Sequence, residues 1–123
     1  SIQVILDVHR DAIQTASGTR YKPTTTINGK KAAQVMIIAG CDGYDIDIPS
    51  YKNNLRFANG LQDKMESMYP TLTRPILFDY RFYNQDLAKA AILLELGGHA
   101  NTLTEAIYSG ELVGDALVKL LAG

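Results

Sequence analysis

Asp7, His9 and Glu95 are the residues of this chain whose types and settings could carry chemistry. Each lies at the end of an apolar run. Val4-Ile5-Leu6-Asp7-Val8-His9-Arg10-Asp11 is β-branched and apolar until it breaks into ionisable side chains, and Ala90-Ala91-Ile92-Leu93-Leu94-Glu95-Leu96-Gly97-Gly98 repeats the pattern. Side chains alternate faces along a strand, so Ile5, Asp7 and His9 share one face while Leu6, Val8 and Arg10 share the other. A carboxylate inside an apolar strand is costly to desolvate unless it is paired, hydrogen-bonded or near a cation, and a His two residues on suits a metal ligand or proton carrier. The competing reading is a core Asp satisfying loop amides beside a surface His, with Glu95 salt-bridged to a Lys or Arg. The adjoining Arg10-Asp11 and a second carboxylate far along the chain favour a site.

Two strands ending in Asp7-Val8-His9 and Glu95 place that site at the carboxyl edge of an α/β sheet, where ligands bind in open sheets. A His with a separate carboxylate is the minimum kit for metal-assisted hydrolysis: zinc polarises a carbonyl and a Glu beside it moves the proton. Catalytic zinc takes three protein ligands, and His99 is the second of just two His residues. Gly97-Gly98 lets other backbone approach Glu95 closely.

The elements that must hold these residues follow from pattern. Ala12 to Lys22 is polar and closed by Pro23, a long loop. Thr24–Ile27 and the run Ala32–Ala39 flank Asn28-Gly29, the dipeptide of a type I′ hairpin, with Val35-Met36-Ile37-Ile38 as an apolar second arm suited to a central strand. Gly40 to Ser50 is a loop whose Asp42, Asp45 and Asp47 lack the spacing of a calcium loop and read as solvated turn residues. Leu55, Ala58, Leu61, Met65 and Met68 fall at helical spacing, with Asn54, Gln62 and Lys64 elsewhere, which predicts an amphipathic helix of about five turns ended by Pro70. A short strand follows around Ile76-Leu77-Phe78. Thr102-Leu103-Thr104-Glu105 fits a capping box, with Asn101 as an alternative N-cap, and Leu112 to Leu121 a closing helix, separated from the preceding turn at Ser109-Gly110. The fold class is α/β, a mixed, largely parallel twisted sheet with helices on both faces.

Composition bounds the function. A chain of 123 residues with 46% hydrophobic residues suits one compact domain with a core. A formal net charge of −1 gives no field that favours nucleic acid or an anionic membrane surface. Cys41 is the one cysteine, which excludes an internal disulfide and a Cys-rich zinc knuckle. No apolar run approaches the roughly 20 residues that span a bilayer. Because Ser1-Ile2-Gln3-Val4 enters a strand at once, the protein is expected to extend upstream, leaving the first strand at an unpaired sheet edge.

The order Leu6-Asp7-Val8-His9-Arg10-Asp11, Ile27-Asn28-Gly29-Lys30 with Ala33-Gln34, Asn53-Asn54-Leu55 with Phe57-Ala58, Tyr83-Asn84-Gln85-Asp86-Leu87, Leu93-Leu94-Glu95-Leu96-Gly97 and Asn101-Thr102-Leu103-Thr104-Glu105-Ala106 closely resembles the stage II sporulation protein P family, over nearly the whole chain. Asp-x-His-Arg-Asp and Asn-Thr-Leu-x-Glu-Ala are the specific parts. The resemblance implies a zinc-dependent N-acetylmuramoyl-L-alanine amidase that cuts peptidoglycan between muramic acid and the stem peptide during forespore engulfment. An endopeptidase activity on peptide crosslinks and a lytic transglycosylase partner also go with the family. It implies that residues 1–123 are the C-terminal portion of one amidase domain, extracytoplasmic and held to the septal membrane only through an N-terminal anchor outside this chain. By position, His9 matches the last zinc ligand and Glu95 the catalytic glutamate. The family's first His and its Glu ligand fall upstream, so the remaining ligands to Zn2+ are expected there. His99 matches no ligand and is assigned to a groove or surface. Arg10 and Asn84, polar residues flanking the strand ends, are candidates for substrate contact. The alternative function is a non-catalytic α/β module that binds peptidoglycan or a partner in the same groove; a purely structural domain would instead salt-bridge Glu95 and leave His9 to bulk solvent.

Overall fold

The computed structural model describes residues 4–11, 22–40, 51–79 and 90–122. Within them the chain forms β1 (Val4–Asp11), β2 (Thr24–Ile27), β3 (Lys30–Ala33), β4 (Val35–Gly40), α1 (Tyr51–Met68), β5 (Leu77–Asp79), β6 (Ala90–Gly98) and α2 (Leu103–Ala122). Among the described residues the main sheet has four strands in the order β1-β6-β4-β5, and β2-β3 is a separate hairpin. β1 runs parallel to β6 and β4 parallel to β5, while β4 and β6 are antiparallel, so the sheet is mixed. The helix α1 carries the chain between the parallel neighbours β4 and β5, the crossover that a parallel pair requires.

One core holds the layers together. Val35, Ile37 and Ala39 of β4 and Ile92 and Leu94 of β6 pack against Ala58, Leu61 and Met65 of α1 and Leu112, Val113 and Ala116 of α2. Both described helices thus lie on the same face of the sheet. The opposite face carries a second buried cluster, Met36, Ile38 and Leu93, in line with Asp7, His9 and Glu95. Burying each large apolar side chain contributes about 1.5–3 kcal/mol before conformational entropy is subtracted.

Three expectations change. The hairpin turn is as predicted, with φ of 51° at Asn28 and 78° at Gly29, both positive as a type I′ turn demands. Its second arm, however, is β3, and Val35-Met36-Ile37-Ile38 belongs to the main sheet. Gln34 makes the break: its N–H donates to Pro23 O (3.0 Å), its carbonyl accepts from Gly97 N (2.8 Å), and its side-chain Nε2 donates to Thr71 O (3.0 Å). The apolar run could not leave the hairpin by pattern alone, because both of its halves are buried. Second, α2 passes through Ser109-Gly110 without interruption. Ser109 Oγ donates to Ala106 O (2.9 Å), and Gly110 packs against Leu96, whose Cδ1 would stand at an ordinary contact distance of 3.5 Å from an added Cβ. Tertiary packing outweighs the roughly 1 kcal/mol that Gly costs a helix. Third, Asn54 lies on the buried stripe of α1 with Ala58, Leu61 and Met65, not on its polar side.

Among the described glycines, Gly97 has the least freedom to change. Its φ is +67°, and an added Cβ would fall 2.7 Å from Ala33 Cβ and within overlap of Asn101 Oδ1. Gly29 has a similar φ with nothing within 4 Å. Gly29→Ala should therefore cost about 1–2 kcal/mol, the left-handed strain alone, and Gly97→Ala that amount plus about 1–3 kcal/mol of overpacking. Denaturant midpoints of the two variants measure the difference; equal losses would contradict the packing at Gly97.

Candidate active site

The parallel ladder between β1 and β6 pairs Val4 with Ala90, Leu6 with Ile92, Val8 with Leu94 and His9 with Glu95. Register partners in adjacent strands present their side chains on the same face, so His9 and Glu95 stand side by side at the carboxyl ends of two parallel strands. Across β6 the row continues to Met36 of β4. Glu95 is buried, 8% exposed, while the His9 side chain is 48% exposed. A carboxylate withdrawn from water beside an accessible imidazole is a pairing suited to proton transfer at a bound substrate.

Asp7 and His9 share their face as strand alternation requires, and Asp7 Oδ1 lies 3.1 Å from His9 Nε2. With Nε2–H donating to Asp7, Nδ1 carries the lone pair, and the carboxylate holds the ring in that tautomer and orientation. This is how a metal-ligating His is commonly supported. Arg10 points to the other face of β1, where its Nη2 donates to Gly98 O (3.2 Å) and to Asn101 O. A cleft of about 290 Å³ on that side is lined by Val8, His9, Arg10, Leu96, Ala106, Ile107 and Gly110. Asn84, Cys41 and the aspartates at 42, 45 and 47 lie outside the described residues, as does the side chain of Asp11.

The end of β6 is tied down by Asn101, a residue the sequence offered only as a second choice of N-cap. Asn101 is 4% exposed; its Oδ1 accepts from Gly98 N (2.8 Å), and its Nδ2 lies within hydrogen-bond reach of Pro23 O (3.1 Å), Thr24 Oγ1 (3.0 Å) and Glu105 Oε1 (3.2 Å). The capping box forms alongside it. Glu105 N donates to Thr102 Oγ1 and Thr102 N donates to Glu105 Oε1, each at 3.1 Å. The one sequence signal for this cluster was the capping box itself.

The sequence model of the family "Stage II sporulation protein P" matches residues 1–118. The curated stage II sporulation protein P of Bacillus subtilis (strain 168) is 32% identical over 126 residues, covering 98% of this chain. The chain belongs to the stage II sporulation protein P family. It spans 29% of the length of that relative. The fold is similar to a crystal structure of the apo form of the N-acetylmuramyl-L-alanine amidase Ami1 from Mycobacterium abscessus, with a TM-score of 0.55 and 14% identity over 97% of this chain and 55% of that one.

In this stage II sporulation protein P family member the described residues include no group of three or more His, Cys, Asp or Glu side chains close enough to hold a metal ion. The capping cluster, by contrast, is electrostatically complete. Burial works against the Glu105 charge, but hydrogen bonds from Thr102 N and Asn101 Nδ2 and an ion pair with Lys22 (3.2 Å) outweigh it and hold the carboxyl below its ordinary 4.5. A depressed folded-state pKa contributes stability that is fully present above the unfolded value and is lost as pH falls through the folded one. Glu105→Gln should therefore lower the melting temperature at pH 7, and the gap to the parent should close below pH 4.5, toward the folded pKa. Melting curves between pH 3 and 7 check this; a gap that stays constant would remove the charge from the account.

Proposed function

We propose that this chain is the part of a peptidoglycan hydrolase that carries a zinc ligand, His9, and the proton-transferring carboxylate, Glu95. The bond cut is the amide between N-acetylmuramic acid and the stem peptide, with peptide crosslinks as a second substrate class. What supports the reading is the register pair His9–Glu95 at the carboxyl ends of parallel strands, within a family named for sporulation and a fold similar to an amidase.

Zinc, when bound, would polarise the amide carbonyl and make the attacking water more acidic. His9 would contribute one ligand through Nδ1, with Asp7 holding Nε2, and the other ligands would come from outside the described residues. Glu95 takes the proton from the water as it adds to the carbonyl carbon, then returns it to the amide nitrogen as the C–N bond breaks. Its burial suits both halves of that task, because a carboxylate shielded from solvent exchanges its proton with the substrate rather than with bulk water. The products are a lactyl carboxylate on the glycan and a free amino group on the stem peptide. Such an enzyme works outside the cytoplasmic membrane, at the septum of the sporulating cell, beside a lytic transglycosylase that opens the glycan strand.

Incubating the full-length protein with purified peptidoglycan should release peptides with a free N-terminal alanine, detected by mass spectrometry. Glu95→Gln should lower the rate by about 10²–10⁴-fold with zinc content unchanged. His9→Ala should lower zinc content and activity together. Binding of peptidoglycan without peptide release would favour the non-catalytic module, and full cleavage by Glu95→Gln would remove Glu95 from the chemistry.

A further inference from the structure

The regular ladder between β1 and β6 ends immediately after the His9–Glu95 pair. The next pair is Asp11–Gly98, so two steps along β1 match three along β6, and the extra residue forms a bulge at Leu96–Gly98. Bulges re-aim side chains, and this one begins one residue after the buried carboxylate. Gly97 and Gly98 have no side chains to pin their register, and Gly-rich strand is prone to slip. Several hydrogen bonds converge on it. Gly97 N donates to Gln34 O (2.8 Å), Gly98 N to Asn101 Oδ1 (2.8 Å), and Asn101 N to Gly98 O (3.0 Å).

The Arg10 guanidinium joins the two strands at this point. Nη2 donates both to Gly98 O and to Asn101 O, a charge-assisted bond to each end of the turn that leads from β6 into α2. Arg10 is the residue after His9, so the side chain that grips the turn and the imidazole are carried by adjacent backbone units of β1 on opposite faces. A movement of the bulge relative to β1 must therefore break the Arg10 bonds.

We infer that Arg10, acting with Asn101, is a positioning residue: it clamps the β6 bulge to β1 and so fixes Glu95 against His9, rather than contacting substrate. The inference rests on the proposed role of Glu95, but its structural half does not. Losing a clamp displaces the proton-transferring group without weakening substrate binding, and misplacement of about 1 Å can cost about 10²-fold in rate. A substrate contact would instead act mainly on KM.

The test uses the full-length protein with two substitutions at Arg10, which is exposed and so tolerates change better than Asn101. In Arg10→Gln, kcat on purified muropeptides should fall about 10–100-fold with KM within about twofold. Hydrogen exchange at the Gly97 and Gly98 amides should accelerate at least tenfold, on the order of one lost hydrogen bond. Arg10→Lys, which can still donate to both carbonyls, should recover most of the rate and of the protection. Accelerated exchange with unchanged kcat would overturn the catalytic half of the inference, and unchanged exchange would overturn the clamp. A rise in KM at constant kcat would make Arg10 a substrate contact. Should the parent protein itself release no peptide, the proposed hydrolysis fails, and hydrogen exchange still decides the clamp.

Discussion

The structure depends on how β6 is buried. Ile92, Leu93 and Leu94 are each within 1% of full burial, between β1 on one side and β4 on the other, and the strand then delivers a carboxylate at Glu95. A charge at the end of such a strand carries a desolvation cost that apolar packing cannot repay. The backbone that carries it is fixed by two neighbouring strands in register and by the bulge that follows.

The same economy governs the second half of the chain. One amide side chain, Asn101, connects the end of β6, the segment before the hairpin and the first turn of α2. Glu105 closes the capping box and also pairs with Lys22, so the helix start and the segment entering the hairpin share one carboxylate. Farther along α2, Tyr108 donates its hydroxyl to Ile27 O (2.9 Å) while its ring lies beneath Lys30 Nζ at 4.6 Å. None of these contacts is large alone, at about 1 kcal/mol for a net hydrogen bond. Their convergence matters because they anchor α2, whose buried stripe covers the helix-bearing face of the same strands that end at His9 and Glu95.

The sequence by itself determined the elements whose signals are local. Alternation put Asp7 and His9 on one face, and the 3.1 Å contact between them follows from it. Asn28-Gly29 specified its turn, Thr102 and Glu105 specified a helix start, and the apolar period of α1 specified its length to Pro70. The family could be read from Asp-x-His-Arg-Asp and Asn-Thr-Leu-x-Glu-Ala because such a resemblance rests on the order of residues along the chain and not on contacts. Tertiary structure decided whatever required two distant segments to meet. Val35-Met36-Ile37-Ile38 reads as a hairpin arm until Gln34 is seen bonded to Pro23, Thr71 and Gly97. Gly110 reads as a helix break until Leu96 is found packed over it. Asn54 reads as a surface residue until the α1 stripe is seen to include it. Above all, the pairing of His9 with Glu95 joins residues 86 positions apart through a ladder register. No local pattern encodes a register, because it is chosen by how the apolar faces of both strands fit against helices that lie elsewhere in the chain.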